Sequence, residues 1–429
     1  MTPPVAGASS KQAPRRGPTS MGGRTAVSGP GNASRTLLLR EIRLRAPVSR
    51  IELSKWTGIS KPAVTRAVAG LIDEGLVVET GPGSAGTRGG RRPRMLELVP
   101  SAAAGLGCMV KVGQIVGSIA GFNGAVEHRK TVSFDPISEP KAVVEEIVEL
   151  LDGLIAKNQP DRPVMGLGMS FPGLIDEIGR VLAAPHMPGW RDLDLAHLLE
   201  AELDMPVYLD NESRVQAVAE AWSGQARGIN NFVCLEAGVG ISAGIVINGE
   251  LWRGTHSLAG ETGHTSMTGN GDRCYCDGRG CWEMSASTTH LLNSVKTASI
   301  ARGDQALYED ADLTMERLVE AANSGDSVAL REIELHADAL SSGICNLILA
   351  YDPERIILHG ESTLLGERLV EMIRRRVAER FRLWLDYDAP IVVTELGTEG
   401  AQEGVVNLAL HAAWGFGDPT AEMGGSLPV

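Results

Sequence analysis

The stretch GHTSMTGNGDRCYCDGRGCWE, residues 263–283, concentrates one histidine, three cysteines and a glutamate in a chain that has only six cysteines. His264, Cys274, Cys276 and Cys281 supply one imidazole and three thiolates at offsets of 10, 12 and 17 residues. Tetrahedral Zn²⁺ accepts such a set, and because protein ligands then fill all four positions, we predict a structural zinc site without a catalytic water. A redox-active Cys-X-Cys pair and a labile disulfide are the competing interpretations, but each leaves His264 and the third thiol without a role.

The composition around this stretch is that of a globular protein. The chain has 429 residues, of which 43% are hydrophobic and 22% charged, so it can bury a large core in two or three domains. No run of eighteen apolar residues occurs, and the first thirty residues lack the apolar stretch of a secretory signal, so we expect a cytoplasmic protein. Cys108, Cys234 and Cys345 lie alone in apolar surroundings, which is typical of buried small side chains and not of a disulfide framework.

Charge divides the chain into a basic beginning and an acidic remainder. The net charge is −13, but residues 1–98 carry 16 basic against 6 acidic side chains, whereas the other 331 residues carry 24 against 47. A basic segment of this size on an acidic body indicates nucleic acid as a partner at one end only. The alternative is a flexible basic tail that binds nothing.

The basic region begins with a segment that we predict to be disordered and continues with three helices. Residues 1–33 are rich in Pro, Gly, Ser and Arg and have no apolar periodicity. From Ser34 onward, leucines and an isoleucine at helical spacing predict a helix that Pro47 ends. Residues 49–58 and 60–75 then read as two shorter helices, each with a serine N-cap and a closing glycine.

After these helices comes a predicted β-hairpin. The segment LVVETGPGSAGTRGGRRPRMLELV, residues 76–99, consists of two β-rich runs joined by a Gly/Arg-rich loop. Residues 34–99 therefore predict a winged helix-turn-helix for DNA binding, although helix-turn-helix geometry also occurs as a plain packing motif. The candidate DNA contacts are Lys61, Ala63, Thr65 and Arg66 at the start of the third helix, and Arg88, Arg91, Arg92 and Arg94 on the wing.

From residue 104 the chain alternates between strands and helices, which predicts an α/β body with helices covering mixed sheets. Two stretches of it, SFPGLIDEIGRVLAAPHMPGWRDLDLAHLLEAELDMPVYLDNESRVQAVAE (170–220) and GVGISAGIVINGELWRGTHSLAGETGH (238–264), together with the cysteine cluster, resemble the ROK family (repressors, open reading frames and kinases). With the N-terminal helices, the chain looks like the family's sugar-responsive regulators. The resemblance implies an actin-like sugar-kinase fold with a first lobe at 104–225 (plus about 400–415), a second lobe with the zinc at 226–399, and a flexible tail at 416–429.

The resemblance also implies a sugar pocket between the lobes. Matching the motifs gives Asn211 and Glu212 from DNES, Glu261 and His264 from GETGH, and Glu283 from GCWE as the sugar-binding residues. Carboxylates suit this role because each accepts strong hydrogen bonds from hydroxyls. An acidic residue on a helix is more often a solvated surface residue, so the coincidence of five matches is what favours a pocket.

The phosphate-binding turns that the family's kinases use are altered in this chain. The turn expected as Asp-x-Gly-Gly-Thr is MVKVG (109–113), so Met109 replaces the acid, while Lys111 and Val112 replace the glycines. The second turn reads GVGIS (238–242), the glycine pair near the carboxyl end reads HGES (359–362), and the kinases' aspartate base is Glu212. These departures predict a protein that binds sugar without catalysing its phosphorylation.

The sequence therefore predicts a sugar-responsive transcriptional regulator, most simply a repressor of carbohydrate-use genes. Its expected partners are a palindromic operator in double-stranded DNA, a small sugar effector and a second copy of the chain, as a homodimer or homotetramer, with no membrane. Two alternatives stay open: a bifunctional sugar kinase that uses Glu212 as its base, and a regulator that answers to a protein partner.

Overall fold

The computed structural model describes residues 30–83, 92–187, 189–302, 313–384, 386, 388, 390–397 and 400–413. The predicted tails at 1–33 and 416–429 lie outside these residues except for 30–33, as do wing residues Arg88 and Arg91. None of the helices in the described parts of the chain combines the length and apolar composition needed to cross a membrane.

Three helices and a small antiparallel sheet form the N-terminal module. Its elements are α1 (Pro30–Arg45), β1 (Val48–Ser49), α2 (Arg50–Thr57), α3 (Lys61–Asp73), β2 (Val77–Pro82) and β3 (Arg94–Leu98). The strands pair in the order β1-β3-β2, so the predicted hairpin is present on both sides of its undescribed loop. The first helix starts at Pro30, four residues before the predicted start at Ser34, and proline is well suited to the first turn because its φ is already helical.

Local sequence explains the ends of α2 and α3. Ser49 caps α2 and forms a reciprocal capping box with Glu52, while Gly58 ends the helix in the left-handed conformation at φ 70°. The third helix has proline in its first turn, as predicted, but Ser60 makes no side-chain capping hydrogen bond. Val64, Val68 and Leu71 of α3 are fully buried among the apolar residues of the module.

The body contains two five-stranded sheets with the same strand order. The strands of the first sheet are β4 (Ala104–Lys111), β5 (Gln114–Gly121), β6 (Val126–Ser133), β7 (Val164–Ser170) and β11 (Val207–Asp210). Those of the second sheet are β12 (Phe232–Ala237), β13 (Ile241–Ile247), β14 (Glu250–Leu251), β15 (Arg355–His359) and β16 (Ile391–Val393). In each sheet an antiparallel three-stranded meander continues into two parallel strands, giving the orders β6-β5-β4-β7-β11 and β14-β13-β12-β15-β16.

Helices cover these sheets and bury their apolar faces. The remaining helices are α4 (Pro140–Ile155), α5 (Leu195–Leu203), α6 (Glu212–Trp222), α7 (Glu283–Ala286), α8 (Thr288–Arg302), α9 (Met315–Asn323), α10 (Ser327–Tyr351), α11 (Glu367–Phe381) and α12 (Gly400–Ala413). A separate minor sheet consists of β8 (Leu174–Ile175), β9 (Val181–Ala183) and β10 (Arg191–Leu193). The α4 helix packs on the first sheet, and α10 and α11 pack on the second.

Two helices join the parts of the molecule. The last described helix, α12, lies on β4 and β7 of the first sheet and also contacts α6, which in turn packs on β12 and β13 of the second sheet. One apolar cluster contains residues of α1 and α3 together with residues of β5, α6 and α12. The core of the N-terminal module is therefore continuous with that of the body.

The close approach of α12 to the first sheet depends on Gly168. A Cβ atom added to this residue of β7 would overlap the Val405 carbonyl of α12. We expect Gly168→Ala to lower the free energy of unfolding by about 1–3 kcal/mol, because backbone must move to accept the methyl group. Gly153→Ala is the matched control, since nothing lies within 4 Å of a Cβ at this exposed helical position, and it should be slightly stabilising. Equal denaturation midpoints for the two variants would contradict this account.

Candidate functional site

The start of α6 presents the first pair of predicted sugar-binding residues. Asn211 is the N-cap of this helix: its Oδ1 accepts a hydrogen bond from the Ser213 backbone N–H at 2.9 Å. The Asn211 side-chain amide also donates to the Gly173 carbonyl at 3.0 Å. Both ends of the Asn211 amide are thus held by the backbone, and Glu212 follows as the first helical residue.

Beneath this turn is a buried ion-pair network that the sequence did not predict. The Asp210 carboxylate at the end of β11 accepts from Arg214 at 3.1 Å and from Arg253 at 2.5 Å. Arg214 also donates to the carbonyls of Ile175, at 3.0 Å, and Ala259, at 3.1 Å. The network therefore links the first sheet to the loop that leads to Glu261.

Glu212 belongs to a cluster of charged groups from both sheets. The Lys111 ammonium at the end of β4 lies 3.8 Å from Glu212 Oε1. Glu236 of β12 accepts hydrogen bonds from the hydroxyls of Ser242 at 2.9 Å and Ser213 at 3.2 Å. Burial, followed by repulsion from Glu236, raises the pKa of Glu212, while Lys111 opposes this shift. Burial likewise raises the pKa of Glu236.

The second group of predicted sugar-binding residues lies on two short helical turns. Glu261 precedes a 3₁₀ turn that ends at His264, and burial raises the pKa of Glu261 while His264 and Arg214 partly offset the shift. Glu283 begins α7, where its Oε2 accepts a hydrogen bond from the Ile241 backbone N–H at 3.0 Å. Glu283 is close enough to both Glu236 and Glu261 to affect their pKa values, so the predicted residues converge on one region.

The four predicted metal ligands also come together. Cys274 Sγ lies 3.6 Å from His264 Nδ1, Cys276 and Cys281 are 3.6 Å apart between their Sγ atoms, and all four donor atoms lie within 4.8 Å of one another. A disulfide needs sulfurs at about 2.05 Å, so the labile disulfide that was a competing interpretation of the cluster is not formed, and all three of its cysteines are free. The donor set is suited to hold a metal ion.

Tight backbone turns bring the three thiols together. Asp277 adopts a left-handed φ of 66°, and the Cys274 backbone N–H donates to the Gly278 carbonyl at 2.9 Å. A Cβ on Gly278 would lie 3.1 Å from Cys276 Sγ and 3.2 Å from Cys281 Sγ. Glycine at this position therefore leaves the space that the sulfur atoms need.

The predicted DNA contacts that the structure describes lie on the surface of the N-terminal module. Lys61, Thr65 and Arg66 are exposed on α3, and Ala63 is half-buried. Arg92 and Arg94 are exposed at the start of the second hairpin strand, and Arg94 pairs with Glu79 at 3.1 Å. Arg94 therefore already has a neighbouring counter-charge.

Sequence reasoning missed Asp210, Arg253, Glu236 and Tyr275. Asp210 directly precedes the DNES asparagine, and Glu236 lies near the end of a buried strand, two residues before the GVGIS turn. The signal available in the sequence was that both are acidic residues beside motif positions. The partnership of Arg253 with Asp210 spans 43 residues and has no local signature. Tyr275 is an aromatic residue between two cysteine ligands, a position that only the structure connects with His264.

Known proteins match this chain along most of its length. The ROK family matches residues 110–412. The xylose repressor of Caldicellulosiruptor bescii is 30% identical over 393 residues, which are 89% of this chain and 96% of that protein.

Solved structures share the fold. A ROK family transcriptional regulator, a homologue of the E. coli Mlc protein, gives a TM-score of 0.73 at 24% identity over 91% of this chain and 99% of its own. A ROK family glucokinase from Streptomyces griseus, in complex with glucose and AMPPNP, gives 0.60 at 25% identity over 71% of this chain and 99% of its own. The α/β body therefore has the fold of ROK sugar kinases, and the regulator matches a larger share of the chain.

The ligand geometry predicts that one thiol controls metal content. Cys276→Ala leaves three ligands, so we expect loss of bound metal and lower thermal stability. Cys345→Ala is the control, because it removes a buried thiol of α10 that is not part of the cluster. Elemental analysis that finds about one metal ion per chain in Cys276→Ala, with unchanged melting temperature, would refute the assignment.

Proposed function

This chain belongs to the ROK family, and we propose that it is a DNA-binding transcriptional repressor of carbohydrate-use genes whose body binds a sugar without phosphorylating it. The observation that carries this proposal is that a basic three-helix module with a β-hairpin is joined through a continuous core to a body with clustered carboxylates. The similarity to a xylose repressor, which extends over 96% of that protein, includes both parts.

We assign the N-terminal module, residues 34–99, as a winged helix-turn-helix. The third helix has exposed Lys61, Thr65 and Arg66 near its start, where a recognition helix meets base edges and phosphates. The hairpin carries Arg92 and Arg94 on its surface. Arg88 and Arg91, which lie outside the described residues, are two further basic residues in the sequence between its strands. Such charges neutralise phosphates without reading sequence.

The metal in the cysteine cluster is, we propose, a structural zinc. Tetrahedral Zn²⁺, with bonds of about 2.3 Å to sulfur and 2.0–2.1 Å to nitrogen, needs ligand separations of about 3.8 Å between sulfurs and 3.6 Å between sulfur and nitrogen. The 3.6 Å separations of the Cys276–Cys281 and Cys274–His264 pairs fit these values. Zinc would be held by all four side chains and would stabilise the loop that carries His264.

The sugar site comprises the acceptors on α6, on the 3₁₀ turn and on α7. Glu212, Glu261 and Glu283 are carboxylates from three separate elements, and each accepts hydrogen bonds from hydroxyls. His264 contributes a ring nitrogen that faces away from the cysteines. We place the site between a first lobe at 104–225 (plus 400–415) and a second lobe at 226–399.

The altered phosphate turns support binding without phosphorylation. Met109, which is buried in β4, replaces the acidic residue that a kinase needs at this position for Mg²⁺. The Lys111 ammonium, where a kinase has glycine, lies beside Glu212. Burial lowers the pKa of His359 to about 4, so this imidazole is neutral at pH 7 and offers no charge to a phosphate. The shared fold with the S. griseus glucokinase keeps a bifunctional kinase as the second candidate.

Helix α6 gives the sugar site a physical connection to the DNA-binding module. It begins beside Asn211 and ends at Trp222, whose ring lies under the guanidinium groups of Arg40 and Arg43 of α1, at 5.4 and 5.8 Å. Arg43 also donates to Asn407 of α12 and to the Asn123 carbonyl. If sugar binding displaced α6, the displacement would be transmitted directly to α1. The DNA affinity would change only if the sugar bound more tightly to one position of α6 than to the other.

Operator recognition, we propose, uses a symmetric pair of chains. One winged module makes few base contacts, whereas a two-fold homodimer, alone or within a homotetramer, places two recognition helices on the half-sites of a palindrome. The sugar would then act by changing the positions of the two modules.

Wing arginines are expected to contribute to the salt dependence of DNA binding. Replacing Arg91 and Arg92 with Ala should weaken binding to a random-sequence duplex and reduce the slope of log K against log salt by about 0.9 per lost phosphate contact. The control replaces Lys130 and Lys157, exposed lysines of the body, and matches the loss of two charges. An unchanged slope in the wing variant would show that these arginines do not touch the DNA backbone.

Substitutions of Glu212 distinguish a sugar sensor from a sugar kinase. Glu212→Gln removes a charged acceptor, so we expect sugar affinity to fall by about 1.5–3 kcal/mol, or ten- to a hundredfold, measured by calorimetry across a panel of monosaccharides. Glu250→Gln, at an exposed position of β14, serves as the control. Glu212→Asp should gain no ATP-dependent phosphorylation. Turnover by the wild type at about 1–100 s⁻¹ with any of these sugars would overturn the sensor assignment.

A further inference from the structure

Tyr275, the residue between the metal ligands Cys274 and Cys276, lies against groups from both halves of the body. Its ring packs edge-on against His264 of the 3₁₀ turn, with centroids 5.0 Å apart. It also packs against His186, at 4.7 Å and an interplanar angle of 64°. Although 45% of Tyr275 is exposed, its hydroxyl points to the protein and contacts His264 Nε2 at 3.1 Å.

The hydroxyl of Tyr275 lies between a donor and an acceptor. Because His264 Nδ1 faces Cys274 Sγ, metal binding through Nδ1 leaves the proton on Nε2, which then donates to the tyrosine oxygen. Glu283 lies within hydrogen-bonding reach of the same hydroxyl. A phenol has an O–H at neutral pH, so the Tyr275 hydroxyl can donate to this carboxylate.

A hydroxyl that accepts from an imidazole and donates to a carboxylate is what a sugar would supply at this place. His264 and Glu283 are two of the five residues assigned to the sugar, and the chain's own phenol already contacts both. Their hydrogen-bonding capacity is therefore partly used before any sugar arrives, and a sugar hydroxyl must compete for it.

The contact with His186 extends this arrangement across the two halves of the body. The loop of His186 is anchored by Met187 and Trp190, both buried in the core of the first sheet, and Trp190 packs on Phe171 with centroids 4.5 Å apart. Tyr275 itself lies within the turns of the cysteine cluster, and Trp282, which follows the last cysteine, is buried in the core of the second sheet. The tyrosine ring thus connects the metal loop to the first sheet.

We propose that Tyr275 occupies the position of a sugar hydroxyl in the sugar-free protein, and that the effector is a monosaccharide whose hydroxyl displaces it from His264 and Glu283. The inference rests on the proposed sugar-sensing function and adds a residue that sets both affinity and selectivity. A sugar whose corresponding hydroxyl is missing or alkylated cannot replace both hydrogen bonds. Displacement also removes the ring contact between Tyr275 of the metal loop and His186, which is one of the contacts between the two halves of the body.

Tyr275→Phe tests this inference because it removes the competing hydroxyl and keeps the ring. The full-length, metal-loaded wild type and variant are compared by thermal shift, and then by calorimetry, over a panel of aldopentoses, aldohexoses and N-acetylhexosamines. We expect the variant to bind the effector sugar about tenfold more tightly, since hydrogen bonds to charged groups no longer oppose entry. Sugar-free Tyr275→Phe should melt at a lower temperature than the wild type, with the metal content unchanged.

Tyr351→Phe is the control, because it removes a phenol hydroxyl at the end of α10 without touching His264 or Glu283, and it should bind like the wild type. Equal or weaker sugar binding by Tyr275→Phe would show that the hydroxyl assists binding, and would overturn the inference while leaving sugar sensing intact. If no sugar of the panel stabilises either protein, the sensing function itself fails, and the role of Tyr275 fails with it.

Discussion

A buried arginine fixes the arrangement on which the candidate site depends. The Arg214 side chain is 2% exposed and is held by the Asp210 carboxylate and by carbonyls on both sides of the body. A guanidinium buried this deeply is tolerated only when its donors are satisfied, so the elements that supply its partners cannot separate without a large cost. Because one partner is Ala259, the arginine sets the distance between the first turn of α6 and the loop of Glu261.

The metal cluster imposes a second constraint on the same site. His264 contributes one ring nitrogen to the cluster and presents the other to Tyr275, so the position of the imidazole is decided by the thiols and not by the sugar pocket alone. Gly278 gives the sulfurs the space they need. If His264 binds both the metal and the sugar, as proposed, the two functions are coupled through one side chain, and loss of the metal would leave the pocket without a fixed donor.

The sequence predicted those structural features that depend on neighbouring residues along the chain. The caps of α2 at Ser49 and Gly58 and the alternation of the α/β body follow from short-range preferences, and the structure has them. Contacts between residues that are far apart in the sequence could not be predicted from it. Leu39, for example, is buried because α1 contacts both its own module and the body. Arg214 lies four residues after Asp210, a spacing typical of surface pairs, yet tertiary packing buries it. Tyr275 gave no signal until the fold placed it beside His264.

The position of α6 explains why sugar and DNA can influence each other in this architecture. The helix has eleven residues, about 16 Å, and it carries Glu212, a proposed sugar acceptor, at its first residue and Trp222 at its last. Because a helix of this length moves as a rigid body, a shift at Glu212 displaces the ring on which Arg40 and Arg43 of α1 rest. The continuous apolar core leaves the module no independent hinge at this contact. A sugar that bound without moving α6 would therefore leave the DNA affinity unchanged through this route.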